Sequence, residues 1–378
     1  MKKKIAVIAI FVIALVFSIV SWPFLAKLES NVELNENRNP EPLPKLNSEF
    51  FINFDKYFLD RVPLRKSTIK FMSTAEVLLS KAYSDILDAF KVEDYYIVIN
   101  NVVFGKKDWL FYAYNHNIDY YCGTNLPSKQ ELDKYLERTI KVQNYFVSQG
   151  KKFAIFVAPN KEQIYSEYMP SGIKVRSEKK RMDIVQEYLI NNNINIVYPK
   201  QALLDKKELG NLLYYKWDTH WNELGAYYGY CELCRALDIT PASIDFTYET
   251  IYTGDMKQLL GANIGGEDYM YQCVYRPEIT SEIVATGLDY LISSNNPNGK
   301  KIALFGDSYR IAIKEYFAKE YSSGILGYRD SLQSFMDNKM SINFDEMDVV
   351  VLQSVERNEY RIFGDTGLLQ QIINKYNL

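Results

Sequence analysis

KIALFGDSYR, residues 301–310, is an apolar run that ends in a glycine, an acid and a serine. A short continuous apolar run predicts a strand that is buried on both faces, as in parallel sheets covered by helices. Gly306 permits a tight turn out of such a strand, and we expect a helix to begin near Arg310. Because open parallel sheets bind ligands beyond the carboxyl ends of their strands, Ser308 lies where an active site is expected.

Four more segments share this pattern of an apolar run with polar residues at its C-terminal end. Helical periodicity separates them, as in 126–150, where Ser128 is the expected N-cap and Glu131 follows in the first turn. This alternation predicts an α/β domain of three layers with a mostly parallel central sheet over 128–378, and the less periodic stretch 239–300 predicts an insertion. The four segments are KKFAIFVAPNKEQIY (151–165), INIVYP (194–199), SGILGY (323–328) and DVVVLQSVER (348–357).

The N-terminus begins with Lys2, Lys3 and Lys4, which precede an uncharged run from Ile5 to Ala26. About 20 apolar residues suffice to cross a bilayer as a helix. Lysines before the run place the N-terminus in the cytoplasm and the remainder outside. We therefore predict a single-pass membrane anchor over 1–26. A cleaved signal peptide is the alternative, although no small-x-small cleavage site follows the run.

Two further segments precede the predicted α/β domain. Residues 27–47 are polar and contain Pro40, Pro42 and Pro44, which predicts an extended linker. Residues 48–127 begin with amphipathic helical periodicity and continue through GKKDWLFY, a turn that feeds a short strand. We expect this segment to pack on the α/β domain.

Composition restricts the possible functions. The 378 residues have a net charge of −3, and lysines are spread along the chain, which argues against nucleic acid as a partner. Cysteines 231 and 234 form a C-x-x-C without a second ligand pair, so no metal site is expected, and the pairing of the four cysteines stays open. No dinucleotide-binding or P-loop motif occurs, and no cofactor is expected.

Ser308 is a candidate nucleophile for acyl transfer. A helix that begins just after the serine would direct free N–H groups and the positive end of its dipole towards an oxyanion. A serine at a strand–helix junction is also a common helix cap, so Gly-Asp-Ser alone does not decide between the two interpretations.

A serine nucleophile needs a base, and this chain has only two histidines, His116 and His220. In WDTHWN, Asp218 precedes His220 by two residues, so both side chains project to the same side of an extended segment. The pattern predicts a base with its orienting carboxylate, and the alternative is a surface turn with a capping Asp or Asn. Asn222 is the expected cap of a helix that runs to about Leu237. His116, with Asp119 nearest, is expected to be structural or on a substrate surface.

D-T-H-W followed by strand-G-D-S resembles the SGNH-hydrolase-like domain of the alginate O-acetyltransferase proteins and of the DHHW family. In typical SGNH hydrolases the serine comes first, whereas here the histidine precedes it, as in the acetyltransferase branch. Gly-Asp-Ser-Tyr replaces the Gly-Asp-Ser-Phe of much of that branch. Further matching blocks are FDKYFLDRVPLR (54–65), GKKDWLFY (105–112), VAPNKEQIYSEYMP (157–170) and VVLQSVERN (350–358).

The resemblance implies acetyl transfer to hydroxyls of an extracellular polysaccharide. By that analogy Ser308 is acylated, His220 acts as base and then acid, and Asp218 orients His220. Backbone N–H groups near Ser308 and Tyr309 would hold the oxyanion. Asn160 and Lys161 are candidates for lining the crevice, and Tyr309 and Trp221 are candidates for stacking on sugar rings. Arg357 is a further candidate for substrate contact. Core packing is the alternative for Trp221, and an ion pair is the alternative for Arg357.

The family resemblance also implies a partner. Acetyl-CoA is cytoplasmic, so a multi-pass membrane acyltransferase would deliver the acetyl group to an external domain. Two other functions stay open: an acetyl esterase with the same triad, and a non-catalytic polysaccharide-binding or assembly factor. The polysaccharide, the acceptor hydroxyl and the oligomeric state are not specified by the residues.

Overall fold

The computed structural model describes residues 41–378 except 47–48, 61–64, 93, 242, 252–253, 263–266, 275–278, 298 and 341. The predicted membrane anchor, residues 1–26, and residues 27–40 of the predicted linker lie outside the described residues. In the part of the chain that is described, no helix combines the length and the apolar character needed to cross a membrane.

The chain divides into two compact units. The smaller unit comprises the described residues up to Tyr83 and those of Lys257–Ile264, and the larger unit comprises Ser84–Met256 and Gly265–Leu378. The smaller unit contains helix α1 (Phe50–Leu59) and most of α2 (Arg65–Ala89).

The larger unit alternates strands and helices along the chain. Its strands are β1 (Val98–Ile99), β2 (Val102–Phe104), β3 (Leu110–Tyr112), β4 (Lys152–Ala158), β5 (Ile196–Val197), β6 (Asp245–Ile251), β7 (Asp268–Val274), β8 (Ser281–Thr286), β9 (Asp289–Ser294), β10 (Lys301–Gly306), β11 (Ser323–Tyr328) and β12 (Val349–Val355). The helices that follow α2 along the chain are α3 (Asn117–Cys122), α4 (Lys129–Ser148), α5 (Lys161–Ile164), α6 (Arg181–Ile190), α7 (Lys200–Glu208), α8 (Glu223–Ala236), α9 (Asp255–Leu260), α10 (Lys314–Glu320), α11 (Leu332–Met336), α12 (Tyr360–Phe363) and α13 (Leu368–Tyr376). The division between the two units falls within α9, after Met256.

A seven-stranded sheet in the order β5-β4-β12-β10-β11-β9-β8 forms the centre of the larger unit. Its first five strands are parallel neighbours, and β9 and β8 add to one edge in antiparallel pairing. The predicted α/β class with a mostly parallel central sheet is therefore confirmed. Segment 239–300, predicted as an insertion, contains the antiparallel β6–β7 pair and supplies the antiparallel edge of the main sheet.

Side chains alternate between two hydrophobic clusters on the two faces of the sheet. On β4, Phe153, Ile155 and Val157 belong to one cluster, whereas Ala154 and Phe156 belong to the other. Residues of α4, α6 and α13 complete the first cluster, and residues of α8 and α10 complete the second. Because successive residues of a strand point to opposite faces, the continuous apolar runs of the sequence reflect burial on both sides.

The ends of the helices agree with two predictions and differ from a third. Ser128 accepts a hydrogen bond from the Glu131 N–H (3.2 Å), and Asn222 accepts one from the Gly225 N–H (2.9 Å) at the start of α8. The helix expected near Arg310 is instead preceded by a 3₁₀ stretch, Ser308–Ile313, and α10 follows it. Asp307, which precedes this stretch, caps it by accepting a hydrogen bond from the Tyr309 N–H.

Gly306 is the position where the end of β10 leaves no room for a side chain. A Cβ atom there would lie 2.1 Å from Gln353 Oε1 and 2.8 Å from the Gln353 backbone oxygen. We expect Gly306→Ala to lower the free energy of unfolding by about 1–3 kcal/mol, because β12 must move to accommodate the methyl group. Urea denaturation checks this, with Thr286→Ala on exposed β8 as a control that changes stability by about 0.5 kcal/mol or less. Equal stabilities of the two variants would contradict the close approach.

Candidate active site

Ser308, His220 and Asp218 form one hydrogen-bonded line. His220 Nε2 lies 2.7 Å from Ser308 Oγ, and His220 Nδ1 lies 2.6 Å from Asp218 Oδ1. Because an ionised carboxylate only accepts, Nδ1 carries the proton and Nε2 is free to accept the Ser308 O–H. This is the arrangement that lets a serine hydroxyl transfer its proton while it attacks an acyl carbon.

The position of Ser308 depends on the residue before it. The Asp307 N–H donates to Gln353 Oε1 (3.0 Å), and Gln353 Nε2 donates back to Asp307 Oδ1 (3.1 Å). Asp307 also accepts from the N–H groups of Tyr309 (3.1 Å) and Val355 (2.7 Å). The acid of Gly-Asp-Ser therefore ties the end of β10 to β12. It also occupies the Tyr309 N–H, which the sequence had suggested for an oxyanion.

The histidine and its carboxylate lie on a narrow loop that leads into α8. An isolated antiparallel bridge joins Tyr214 and Trp221 at its base, and the Tyr215 N–H donates to the His220 carbonyl (3.3 Å). Asp218 Oδ1 accepts from the backbone N–H of His220 (2.9 Å) as well as from its ring. One carboxylate thus sets both the loop conformation and the orientation of the imidazole.

Lys161 supports this loop from beneath. Its Nζ donates to the carbonyl oxygens of Tyr215 (3.1 Å), Lys216 (3.2 Å) and Asp218 (2.8 Å), and the residue is only 2% exposed. Burial lowers the pKa of Lys161 to about 8, although nearby carboxylates favour the charged form. The ammonium replaces the water that these carbonyl groups would otherwise need.

The electrostatics of the pair favour proton acceptance by His220. Burial disfavours the ionised form of Asp218, but its hydrogen bonds with His220 and the His220 charge hold the pKa of Asp218 well below its usual range. Burial also disfavours the imidazolium, but the hydrogen bond and charge of Asp218 outweigh it and raise the pKa of His220. A raised pKa makes Nε2 a stronger base towards the serine.

A second carboxylate, Asp255, lies beside the same imidazole and was not anticipated from the sequence. Its Oδ2 is 3.6 Å from His220 Nδ1. Asp218, His220 and Asp255 each offer one atom that could bind a metal ion, and these three atoms lie within 4.8 Å of one another. Hydrogen bonds among these residues account for their proximity without an ion.

The five residues proposed for substrate contact are all buried. Each is less than 10% exposed: Asn160 (1%), Lys161 (2%), Trp221 (1%), Tyr309 (0%) and Arg357 (8%). Trp221 Nε1 donates to the Tyr309 carbonyl oxygen (3.0 Å), and the Tyr309 hydroxyl donates to the Thr219 carbonyl oxygen. Neither ring presents a free face for stacking on a sugar, because both pack in the core beneath the histidine loop.

Arg357 and Asn160 belong to a buried polar network beside the triad. Arg357 Nη1 donates to Asn160 Oδ1 (3.3 Å), and its guanidinium lies over the rings of Tyr112 and Tyr309. Burial disfavours the charged guanidinium, but interactions with Tyr309 and nearby carboxylates outweigh it and raise the pKa of Arg357 above its usual value. The sequence left two roles open for Arg357, substrate binding and an ion pair. In the structure its guanidinium forms cation–π contacts instead.

Three residues that position the site were missed or given another role from the sequence. Gln353 and Asp255 carry no motif that distinguishes them from other polar residues at strand and helix ends. Lys161 was expected to line the crevice because it follows β4, but its side chain turns under the neighbouring loop. His116 lies apart from the triad: its side chain is 80% exposed and its Nδ1 is 3.1 Å from Asp119.

Comparison with known proteins identifies a family. A family model described as the SGNH hydrolase-like domain of acetyltransferase AlgX matches residues 102–325, which is more than half of the chain and includes Asp218, His220 and Ser308. No curated protein sequence matches the chain.

Several solved structures of bacterial proteins are similar to this chain, among them the following three. A DHHW family protein from Eubacterium siraeum is 16% identical, with 74% of this chain and 97% of that chain covered and a TM-score of 0.49. The O-acetyltransferase domain of Pseudomonas putida AlgJ is 16% identical (74% and 99% covered, TM-score 0.48). Bacillus cereus PatB1 is 13% identical (71% and 97% covered, TM-score 0.48).

Replacing Lys161 tests its support of the histidine loop. We expect Lys161→Met to lower the free energy of unfolding by about 3 kcal/mol, because three buried carbonyl groups lose their donor. Lys141→Met is the control, since the exposed Lys141 pairs with Glu137 (3.3 Å) on α4, outside this loop. Thermal and urea unfolding of both variants measure the difference, and a Lys161→Met protein as stable as the control would contradict the role.

Proposed function

The chain belongs to the family of SGNH hydrolase-like acetyltransferase domains, and we propose that it is a serine-dependent O-acetyltransferase of polysaccharide. The observation that carries the proposal is the unbroken hydrogen-bonded line from Asp218 through His220 to Ser308. A domain that only binds polysaccharide has no need for a base within 2.7 Å of a serine hydroxyl.

The proposed reaction has two halves that use the same groups. In the first, Ser308 Oγ attacks the acetyl carbonyl carbon while its proton passes to His220 Nε2. The carbonyl π electrons move to oxygen, and when the tetrahedral intermediate collapses, His220 protonates the leaving oxygen. In the second half, His220 takes the proton from a sugar hydroxyl, which attacks the acetyl-serine, and returns that proton to Ser308 Oγ.

Asp218 keeps the proton on Nδ1 throughout both halves. Its charge stabilises the imidazolium that exists while the tetrahedral intermediate is present. The backbone N–H of Ser308 is the proposed donor to the developing oxyanion, at the point where β10 ends. No step requires a cofactor from the chain.

Water in place of the sugar hydroxyl would make the same triad an acetyl esterase. Family membership favours the transferase, and the products decide between the two. The acceptor is proposed to be a polysaccharide of the cell surface, because the apolar run Ile5–Ala26 after three lysines suits a membrane anchor with the catalytic domain outside. A multi-pass membrane acyltransferase is the proposed source of the acetyl group.

Loss of the nucleophile tests the chemistry. We expect full-length protein treated with a chromogenic acetyl ester to gain one acetyl group on Ser308, detected by intact mass, and Ser308→Ala to gain none. Turnover should fall about a thousandfold or more in Ser308→Ala and His220→Ala, because both act in one proton transfer. Ser166→Ala, at an exposed serine in a 3₁₀ turn, is the control.

The products formed with oligosaccharide acceptors separate the candidate functions. Acetylated sugar supports the transferase, and free acetate alone supports the esterase. Binding of oligosaccharide without turnover would support the non-catalytic factor. Unchanged turnover in both Ser308→Ala and His220→Ala would overturn the catalytic assignment.

The N-terminus of the mature protein tests the anchor. We expect the protein purified from membranes to retain residues 1–26, because no cleavage site follows the apolar run. N-terminal peptide mass spectrometry measures this directly. A mature chain that begins beyond residue 26 would identify the run as a cleaved signal.

A further inference from the structure

Two carboxylates, not one, face Nδ1 of His220. Asp218 Oδ1 is at hydrogen-bonding distance, 2.6 Å, and Asp255 Oδ2 is at ion-pair distance, 3.6 Å. The Asp255 side chain is about one-third exposed, so its charge is partly screened by solvent. A triad needs only Asp218, so the role of the Asp255 carboxylate is additional to it.

Asp255 is held in place by the same loop that carries the histidine. Its backbone N–H donates to Asp218 Oδ2 (2.9 Å). Thr219 donates to Asp255 twice, from its N–H to Oδ1 (2.8 Å) and from its hydroxyl to Oδ2 (2.5 Å). The two carboxylates are thus connected through backbone and hydroxyl groups, and each has a defined direction towards the imidazole.

A glycine makes this approach possible. A Cβ atom on Gly254 would lie 2.1 Å from the Trp217 carbonyl oxygen, so no other residue fits there without moving the histidine loop. The start of α9 can therefore lie close enough for Asp255 to bond Thr219 and Asp218 together.

His220 lies among several charged side chains. Burial disfavours the imidazolium, Asp218 and Asp255 favour it, and the positive charge of Arg357 opposes it. The pKa of Asp255 itself is raised by burial and by the Asp218 charge, while the imidazolium lowers it. The charged and titratable groups around the ring are Asp218, Asp255, Arg357 and Tyr309, with Lys161 behind the loop.

We propose that Asp255 is a second carboxylate partner of His220. Asp255 stabilises the imidazolium that forms during acyl transfer, and it orients the His220 ring when Asp218 is lost. Asp255 accepts no proton in the reaction. The Ser308 proton moves to Nε2 as the new C–O bond forms, the Nδ1 proton stays on the ring, and Asp255 supplies negative charge beside it. It is a positioning residue, since it acts on substrate only through His220. This inference rests on the proposed acyl-transfer function.

The first test uses the fact that the chain has only two histidines. NMR titration of the full-length protein labelled at histidine follows His220 directly, and His116→Gln assigns the other resonance. We expect Asp255→Asn to lower the pKa of His220, because one neighbouring negative charge is removed. The acidic limb of the kcat/KM profile should move to lower pH in the same direction, because the base stays neutral further into acid.

Asp268→Asn is the matched control for a purely structural role. Asp268 is fully buried, and its Oδ2 accepts from the Trp217 N–H (2.9 Å), so it holds the same loop without facing the imidazole. We expect Asp268→Asn to lower stability and rate but to leave the pKa of His220 where it is in the unsubstituted protein. If Asp255→Asn behaves in the same way as this control, the proposal is overturned.

The second test combines substitutions at the two carboxylates. Loss of an orienting aspartate alone is known to cost about 10⁴ in kcat where no substitute exists. With Asp255 present, we expect Asp218→Asn to lower kcat only about a hundredfold. We expect the double variant Asp218→Asn/Asp255→Asn to show the full loss of about 10⁴ in kcat. An Asp218→Asn variant as inactive as the double variant would overturn the second part of the proposal.

The readouts separate this inference from the proposed function. The pKa of His220 is measured by NMR without any turnover, so it tests the contact of Asp255 with the imidazole by itself. If the unsubstituted protein and Ser308→Ala turn over acetyl esters equally, the proposed function fails. If turnover depends on Ser308 but Asp255→Asn moves neither the NMR titration nor the pH profile, only this inference fails.

Discussion

The hydrogen bond between His220 Nε2 and Ser308 Oγ joins two segments that meet only because β4, β12 and β10 are parallel neighbours. Parallel pairing puts the carboxyl ends of these strands at one edge of the sheet. Ser308 follows β10 there, and Lys161 follows β4 and supports the loop of His220. The burial of both sheet faces, which stabilises this pairing, thus also determines whether a serine and a histidine far apart in sequence can react.

Buried polar groups at the strand ends make this edge rigid. Asp307 accepts hydrogen bonds from backbone and side-chain donors on β12, and Glu356 Oε2 accepts from the Asn160 N–H (3.0 Å) after β4. Glu356 is fully buried, and this burial raises its pKa to about 8. Such groups are costly to bury, and hydrogen bonds to several segments offset the cost while they restrict each segment to one position.

Burial also affects the charges of the triad. Asp218 is ionised because His220 and two backbone N–H groups favour its charge over the effect of burial. The imidazole is in turn a stronger base than an exposed histidine. The base and the supporting ammonium of Lys161 both bond Asp218, His220 through its carboxylate and Lys161 through its backbone carbonyl.

The amino-acid sequence by itself determined the class of fold and the three residues of the line from Asp218 to Ser308. Apolar runs of strand length specify burial on both faces wherever they occur, and a chain with two histidines offers few choices of base. Only the tertiary structure decided which polar residues surround that line: Asp255, Gln353 and Lys161 approach it through strand pairing and loop packing, and the rings of Trp221 and Tyr309 turn into the core. The physical reason is that periodicity and residue type act over a few neighbouring positions. The direction of a side chain at the end of a strand depends instead on what the rest of the chain packs against it.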